Sequence, residues 1–320
     1  MDIISQQLEN RFQDQPSYTL TSGHVMPLIG LGTDKIFTDE VIVNAVIKAG
    51  YRTLDTASRY QNEEVIGRAI KQITANSSIT RDQLFVVTKV WMDEIEDVET
   101  ACKRSLEKLQ LDYIDLYLLH WPVFTKVDVP SEPDQGKAAS YKKLNIPIHK
   151  VWPQLEALVK QGLVRSIGVS NFCVQSLWDL LSYAEIPPTV NEIEIHPLYP
   201  QHDLVHFCLS NKILPIAYSP IARAATTEKK RGTDNVLEQE IIQKLAKKYN
   251  KTPAQIVLGW GIQRGYGIIP KSSNLERQRE NFEVFDFKLE VSEMDEIAML
   301  DRGQKIHKRD EFVFGFNIFA

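Results

Sequence analysis

Eight times along this chain, a short apolar run suited to a buried strand is followed by a segment whose apolar residues recur every three or four positions. The runs fall at 28–31, 51–57 (YRTLDTA), 84–90 (LFVVTKV), 114–120 (IDLYLLH), 164–170 (VRSIGVS), 189–195 (TVNEIEI), 213–219 (ILPIAYS) and 266–272 (YGIIPKS). Helices are expected at 39–49, where Gly50 stops the pattern, and at 63–73, 152–160, 175–181, 202–210, 238–249, 253–264 and 292–300. Between the third and fourth runs, Val98, Ala101, Cys102, Ser105, Leu106 and Leu109 form one inward helical face. Such alternation implies parallel strands joined by helical crossovers, and eight units fit a closed (β/α)8 barrel of the α/β class. An open doubly wound sheet is the main competitor. Its dinucleotide fingerprint needs a third glycine, whereas Gly30-Leu31-Gly32 runs into Thr33-Asp34-Lys35.

The 320 residues are expected to form one barrel domain over 1–320. Residues 1–17 read as a polar leader, and two apolar runs around Thr21-Ser22-Gly23-His24 predict an N-terminal β-hairpin. The stretch 123–147, rich in Pro, Lys and Asp, is a long βα loop insertion and a candidate lid or pocket wall. Residues 303–320 are expected to loop over the pocket, with Phe312, Phe314 and Phe316 either walling it or docking on the barrel. With 37 basic and 42 acidic residues, the net charge of -5 gives no long-range reason to expect a nucleic acid or an anionic membrane. No secretory signal pattern and no 18-residue apolar run is present, so a cytoplasmic location is expected. Cys102, Cys173 and Cys208 lack any CxxC spacing and read as structural.

Asp55, Lys89 and His120 stand at the ends of the second, third and fourth runs, and Tyr60 follows Asp55 by five residues in the next loop. In a barrel these positions share the carboxyl end, where active sites lie. A neighbouring ammonium stabilises a phenolate, so Lys89 would bring Tyr60 into catalytic range, Asp55 would keep Lys89 charged, and His120 would hydrogen-bond a carbonyl oxygen. Taken singly, each also has a structural reading as pocket wall, salt bridge or satisfied polar residue.

The segments MPLIGLGT, LDTASRYQNEEVIG, VTKVW, LDYIDLYLLHWP, IGVSNF, EIHPLYPQ, AYSP and IIPKSSNLERQRENFEVFDF together resemble the aldo-keto reductases, in particular aldose, aldehyde and xylose reductase-like members. The resemblance runs from 18 to 317 and implies a barrel that binds NADPH in extended form and reduces aldehydes and ketones. It assigns the catalytic tetrad to Asp55, Tyr60, Lys89 and His120, with Tyr60 as general acid. Cofactor contacts are implied for Thr33, Ser170, Asn171, Glu192, Tyr218, Ser219 and Ile221, and at the adenosine end for Lys271, Ser272, Asn274, Arg277, Glu280 and Asn281. Lys271 and Arg277 suit a 2′-phosphate, which favours NADPH over NADH. Asn274, where many relatives carry Thr, keeps NADH as the lesser alternative.

Four further positions depart from the pattern. Glu192 replaces the usual Gln, and an ionised carboxylate can only accept; it would accept from the nicotinamide carboxamide nitrogen or be locally neutralised. Ala222 stands in a loop that usually contains glycine. Asp34 replaces a common aromatic and Arg59 an often apolar residue; they either pair across the pocket mouth, favouring polar carbonyls, or are separately solvated. Trp91 and Trp121 keep part of the pocket wall aromatic.

The expected reaction is therefore NADPH-dependent reduction of a small carbonyl compound, without metal, nucleic acid or membrane, by a monomer or weak dimer. The alternative is a nucleotide-binding barrel with a regulatory or scaffold role and little turnover. His196, His202 and His206 lack the spacing of a metal set, the last two being one helical turn apart with no third ligand near.

Overall fold

A computed structural model describes residues 15–129, 140–222 and 234–307. The chain first makes a hairpin of β1 (Ser17–Thr19) and β2 (Val25–Pro27), then β3 (Gly30–Gly32), α1 (Asp39–Lys48), β4 (Thr53–Asp55), α2 (Glu63–Asn76), β5 (Phe85–Val90), α3 (Val98–Leu109) and β6 (Ile114–Leu119). An antiparallel pair, β7 (Thr125–Val129) and β8 (Ser140–Lys143), interrupts the alternation. It resumes with α4 (Ile148–Lys160), β9 (Val164–Ser170), α5 (Val174–Leu181), β10 (Val190–Glu194), α6 (His202–Ser210), β11 (Leu214–Tyr218), α7 (Glu240–Tyr249), α8 (Pro253–Gln263), β12 (Gly267–Ile269), α9 (Leu275–Phe282) and α10 (Val291–Ala298).

Eight strands lie parallel in the order β3-β4-β5-β6-β9-β10-β11-β12. The ends of this sheet meet: Ile268 N–H donates to Leu28 O at 2.8 Å and Gly32 N–H to Pro270 O at 3.2 Å. This is the expected (β/α)8 barrel, and it gives Gly30 and Gly32 a use other than phosphate binding. A Cβ on Gly32 would stand 2.8 Å from Ile269 O, and one on Gly30 2.8 Å from Thr53 Cγ2. Both glycines permit close strand approach at the barrel seam.

The hairpin closes the amino end of the barrel, with Leu20 and Met26 buried and Ser22 Oγ 2.7 Å from Ser166 Oγ of β9. Its turn uses Gly23 at φ 84, a left-handed conformation that glycine adopts freely. The barrel strands are buried along nearly their whole length, as expected where helices cover the outer face. Among the described residues no helix is long and apolar enough to cross a membrane.

Several expectations change in detail, and α9 (Leu275–Phe282) is not among the helices read from periodicity. The second strand is Thr53–Asp55 instead of 51–57, and the loop that carries Tyr60 forms a 3-10 turn, Ser58–Tyr60. The insertion 123–147 contains the β7–β8 pair, which its Pro- and Lys-rich composition concealed. The leader before residue 15 and the tail with Phe312, Phe314 and Phe316 lie outside the described residues.

Candidate active site

Asp55 closes β4, Lys89 lies one residue before the end of β5, and His120 follows β6, so the three converge at the carboxyl end of the barrel. Thr33, fully buried, fixes the first of them: its N–H and Oγ donate to the Asp55 carbonyl at 3.0 and 2.7 Å. Asn62 then ties this loop to the next. Its Nδ2 donates to Thr33 O and Ile36 O at 2.8 and 3.0 Å, and its Oδ1 accepts from Thr56 Oγ at 2.7 Å. The turn bearing Tyr60 is held on its other side by Glu94, whose Oε2 accepts from Ser58 Oγ at 2.6 Å and from Trp91 N–H at 3.0 Å. Asn62, Thr56 and Glu94 escaped the sequence reading; a polar residue just before the α2 pattern was the only trace of Asn62.

The centre of the site is a buried ion cluster. Lys89 Nζ lies 2.6 Å from Asp55 Oδ2 and 3.2 Å from Glu192 Oε2, and it donates to Thr56 O at 3.0 Å. The Lys89 side chain is 0% exposed and those of its two carboxylate partners 3%. Burial pulls the lysine downward, but the Asp55 and Glu192 charges outweigh it and hold Lys89 above the ordinary lysine value. Glu192 is driven well above the ordinary carboxylate range by burial first and the Asp55 charge second. Asp55 is also raised by burial, with Lys89 opposing.

The Tyr60 ring centroid is 5.3 Å from Lys89 Nζ. Lys89 lowers the phenol as expected, but it is not the largest influence in the protein alone. Burial raises the phenol, Lys89 lowers it by less, and Asp55, Glu192 and Asp34 add to the rise. The balance favours the protonated phenol in the protein alone. His120 packs edge-on to Trp91 at 4.9 Å and to Tyr60 at 6.0 Å between ring centroids.

Beside this cluster, Ser170 and Asn171 leave the end of β9. Asn171 adopts φ 62, which asparagine tolerates, and its Nδ2 donates to His120 O at 3.0 Å and Ser170 Oγ at 3.1 Å. Its Oδ1 accepts from Tyr218 O–H at 2.7 Å, and Ser170 Oγ donates to Glu192 O at 2.8 Å. Ser170, Asn171, Glu192 and Tyr218 thus form one connected wall. Ser219, Ile221 and Ala222 continue from Tyr218 in a turn closed by Ala222 N–H to Ser219 O at 2.8 Å. Both Ser219 and Ala222 are left-handed, at φ 48 and 52, so the turn keeps the shape glycine would favour.

At the far end, Asn274 caps α9 by accepting from Arg277 N–H at 3.0 Å. Ser272 and Asn281 are buried, Glu280 is half-buried, and Lys271 and Arg277 are exposed with no ion-pair partner among the described residues. Two uncommitted cations beside a helix amino end suit the phosphate of a 2′-phosphorylated dinucleotide, so the residues fit NADPH.

At the mouth, Trp91 and Trp121 are buried with Phe124, whereas Asp34 and Arg59 are exposed. Of the two arrangements open for these charges, the structure has them apart: the Arg59 guanidinium lies 5.7 Å from the Trp91 ring centroid. A further anchor had no sequence signal. Glu194, buried at the end of β10, takes hydrogen bonds from the backbone N–H groups of Ile306 and His307, the latter at 2.9 Å, and its Oε1 is 3.0 Å from His196 Nε2. His307 in turn lies 2.8 Å from Ser219 Oγ through its Nε2. His196 therefore belongs to a clamp on the segment after α10.

A sequence profile of the aldo/keto reductase family matches residues 29–302. The NADP-dependent D-sorbitol-6-phosphate dehydrogenase of Malus domestica is 42% identical over 313 residues, covering 94% of this chain and 99% of that protein. The methylglyoxal reductase of Yersinia pestis is 42% identical over 303 residues, covering 94% and 98%. Among solved structures, a Bombyx mori aldo-keto reductase in complex with NADP superposes with a TM-score of 0.84 at 35% identity, covering 93% of this chain and 96% of that one. With the barrel, the buried Lys89 cluster and these likenesses in agreement, the chain belongs to the aldo-keto reductase family.

Proposed function

We propose that this protein reduces a small aldehyde or ketone to the alcohol with NADPH, using Tyr60 as the proton donor. The observation that carries this reading is the Lys89–Asp55 pair, 2.6 Å apart and buried, with Lys89 Nζ 5.3 Å from the Tyr60 ring. NADPH, when bound, supplies the hydride to the carbonyl carbon. Tyr60 O–H gives its proton to the carbonyl oxygen as negative charge develops there, and the Lys89 ammonium stabilises the phenolate left behind. Asp55 keeps Lys89 charged and in place. His120 orients the carbonyl oxygen beside Tyr60.

Ser170, Asn171 and Glu192 would hold the carboxamide of the nicotinamide, and Tyr218 would support its ring. Ser219 and Ile221 would follow the pyrophosphate, and Ser272, Asn274, Glu280 and Asn281 the adenosine. Lys271 and Arg277 would hold the 2′-phosphate, in keeping with the NADP dependence named for the Malus domestica relative. Thr33 acts from behind, since its hydroxyl is committed to Asp55.

The aromatic wall of Trp91 and Trp121 beside exposed Asp34 and Arg59 suits a compact polar carbonyl such as methylglyoxal, the substrate class named for the Yersinia pestis relative. The unit acting is one barrel domain, a monomer or weak dimer, in the cytoplasm. Loss of NADPH absorbance with methylglyoxal, glyceraldehyde and hexanal, run beside NADH, tests the reading. Cofactor binding without oxidation of NADPH by any of the panel would overturn it.

A further inference from the structure

Two carboxylates, Asp55 Oδ2 and Glu192 Oε2, stand 2.6 and 3.2 Å from one lysine nitrogen, and none of the three side chains is exposed by more than 3%. Fully ionised, the trio would carry one uncompensated negative charge with no solvent to screen it, under a phenol that has to become phenolate. Like charges this close, within roughly 4–6 Å, disfavour each other's ionised form. We propose that Asp55 and Glu192 share a single proton, making Glu192 a positioning residue that keeps the charge beneath Tyr60 neutral while Lys89 stays cationic.

The charged and titratable groups close to this pair include Lys89 on β5, Tyr60 on the 3-10 turn, Asp34 after β3 and Tyr218 on β11, with His120 after β6 edge-on to Tyr60. Beside a cationic Lys89 the pair's first ionisation brings the trio to neutrality and its second leaves a net negative charge; burial raises both carboxyls, with Lys89 opposing. Losing the shared proton would place a second negative charge beside Tyr60, oppose formation of its phenolate and slow proton donation. The productive state is therefore the protonated pair. This extends the role proposed for Tyr60, but its first test needs no turnover.

Infrared difference spectra of the cofactor-free protein at neutral pH, wild type against Glu192→Gln, should show the carbonyl stretch of a buried neutral carboxylic acid in the wild type only. Asp55→Asn should abolish the same band, because the remaining carboxylate then pairs alone with Lys89. The wild-type band should fade as pH rises, a readout that does not depend on either variant folding. Absence of the band in the wild type, or its survival in Asp55→Asn, would overturn the shared proton. With NADPH and a carbonyl, Glu192→Gln should move the alkaline loss of kcat to higher pH, by about one unit for a tenfold weaker opposition to the phenolate. An unmoved limb with the infrared result intact would overturn the link to Tyr60 and leave the reductase assignment standing.

Discussion

Lys89 and Asp55 meet at 2.6 Å with Lys89 wholly buried, and Glu192 closes on the same nitrogen from across the barrel. The pair ties β5 to β4 at the carboxyl end of the barrel, where the proposed chemistry lies, so stability and the proposed activity would depend on the same atoms. Removing one partner of such a pair costs about 3–5 kcal/mol, because the other charge is left buried and uncompensated. Lys89→Met is expected to lose that much stability in urea unfolding and to lose carbonyl reduction with it.

Tyr60→Phe keeps the ring and removes the proposed proton donor. Turnover is expected to fall by roughly 10²–10⁴, the range for general acid catalysis, with NADPH affinity and the melting transition near wild type. Single-turnover rates measured beside cofactor titrations check both halves. Retained turnover would assign the proton to another group.

Lys271→Met should weaken NADPH far more than NADH. A charge-assisted hydrogen bond is worth about 1.5–3 kcal/mol, so the ratio of the two dissociation constants should shift by roughly 10- to 150-fold. Equal weakening of both cofactors would move Lys271 away from the 2′-phosphate.

Ala222 holds φ 52, where an L side chain is strained and glycine is not. Ala222→Gly should therefore gain roughly 0.5–1 kcal/mol after the greater chain entropy of glycine is subtracted. Thermal unfolding would register this as a higher Tm; a lower Tm would show that the methyl group packs more usefully than it strains.

Glu194 supplies a pH dependence. Burial alone would raise its carboxyl, but His196, the His307 charge and the N–H of Ile306 outweigh burial and hold it below the ordinary carboxylate range. A carboxyl lowered by folding contributes stability that is complete above its unfolded value and is lost as pH falls through the lowered one. Acidification through that window should release the clamp, raising hydrogen exchange at Ile306 and His307 ahead of the barrel strands. Glu194→Gln should show the same fast exchange at neutral pH.

Much of this arrangement was legible in the sequence because strand ends announce themselves: Asp55, Lys89 and His120 close apolar runs, and a parallel barrel brings such ends together. The periodicity gave the right strands, most with bounds one to three residues too wide and the first shifted from 28–31 to Gly30–Gly32, since the ladders stop where loops turn away. What could not be read were partners fixed by tertiary contact. Glu192 read only as a departure at a cofactor-contact position, since its ion pair with Lys89 at 3.2 Å leaves no local signal, and Asp34 and Arg59 were equally free to pair or stay apart. Asn62 and Glu194 carry no local pattern because what they hold lies in distant loops. The β7–β8 pair was hidden by a composition that reads as loop.

The seam between β3 and β12 joins the first and last barrel strands among the described residues. During synthesis β3 emerges with one edge open, and that edge finds its partner only after residues 267–269 have left the ribosome. A ribosome stalled before that point would present an unpaired β3 edge to chaperones, and a truncation there would remove the closing strand of the barrel together with Lys271 and Arg277.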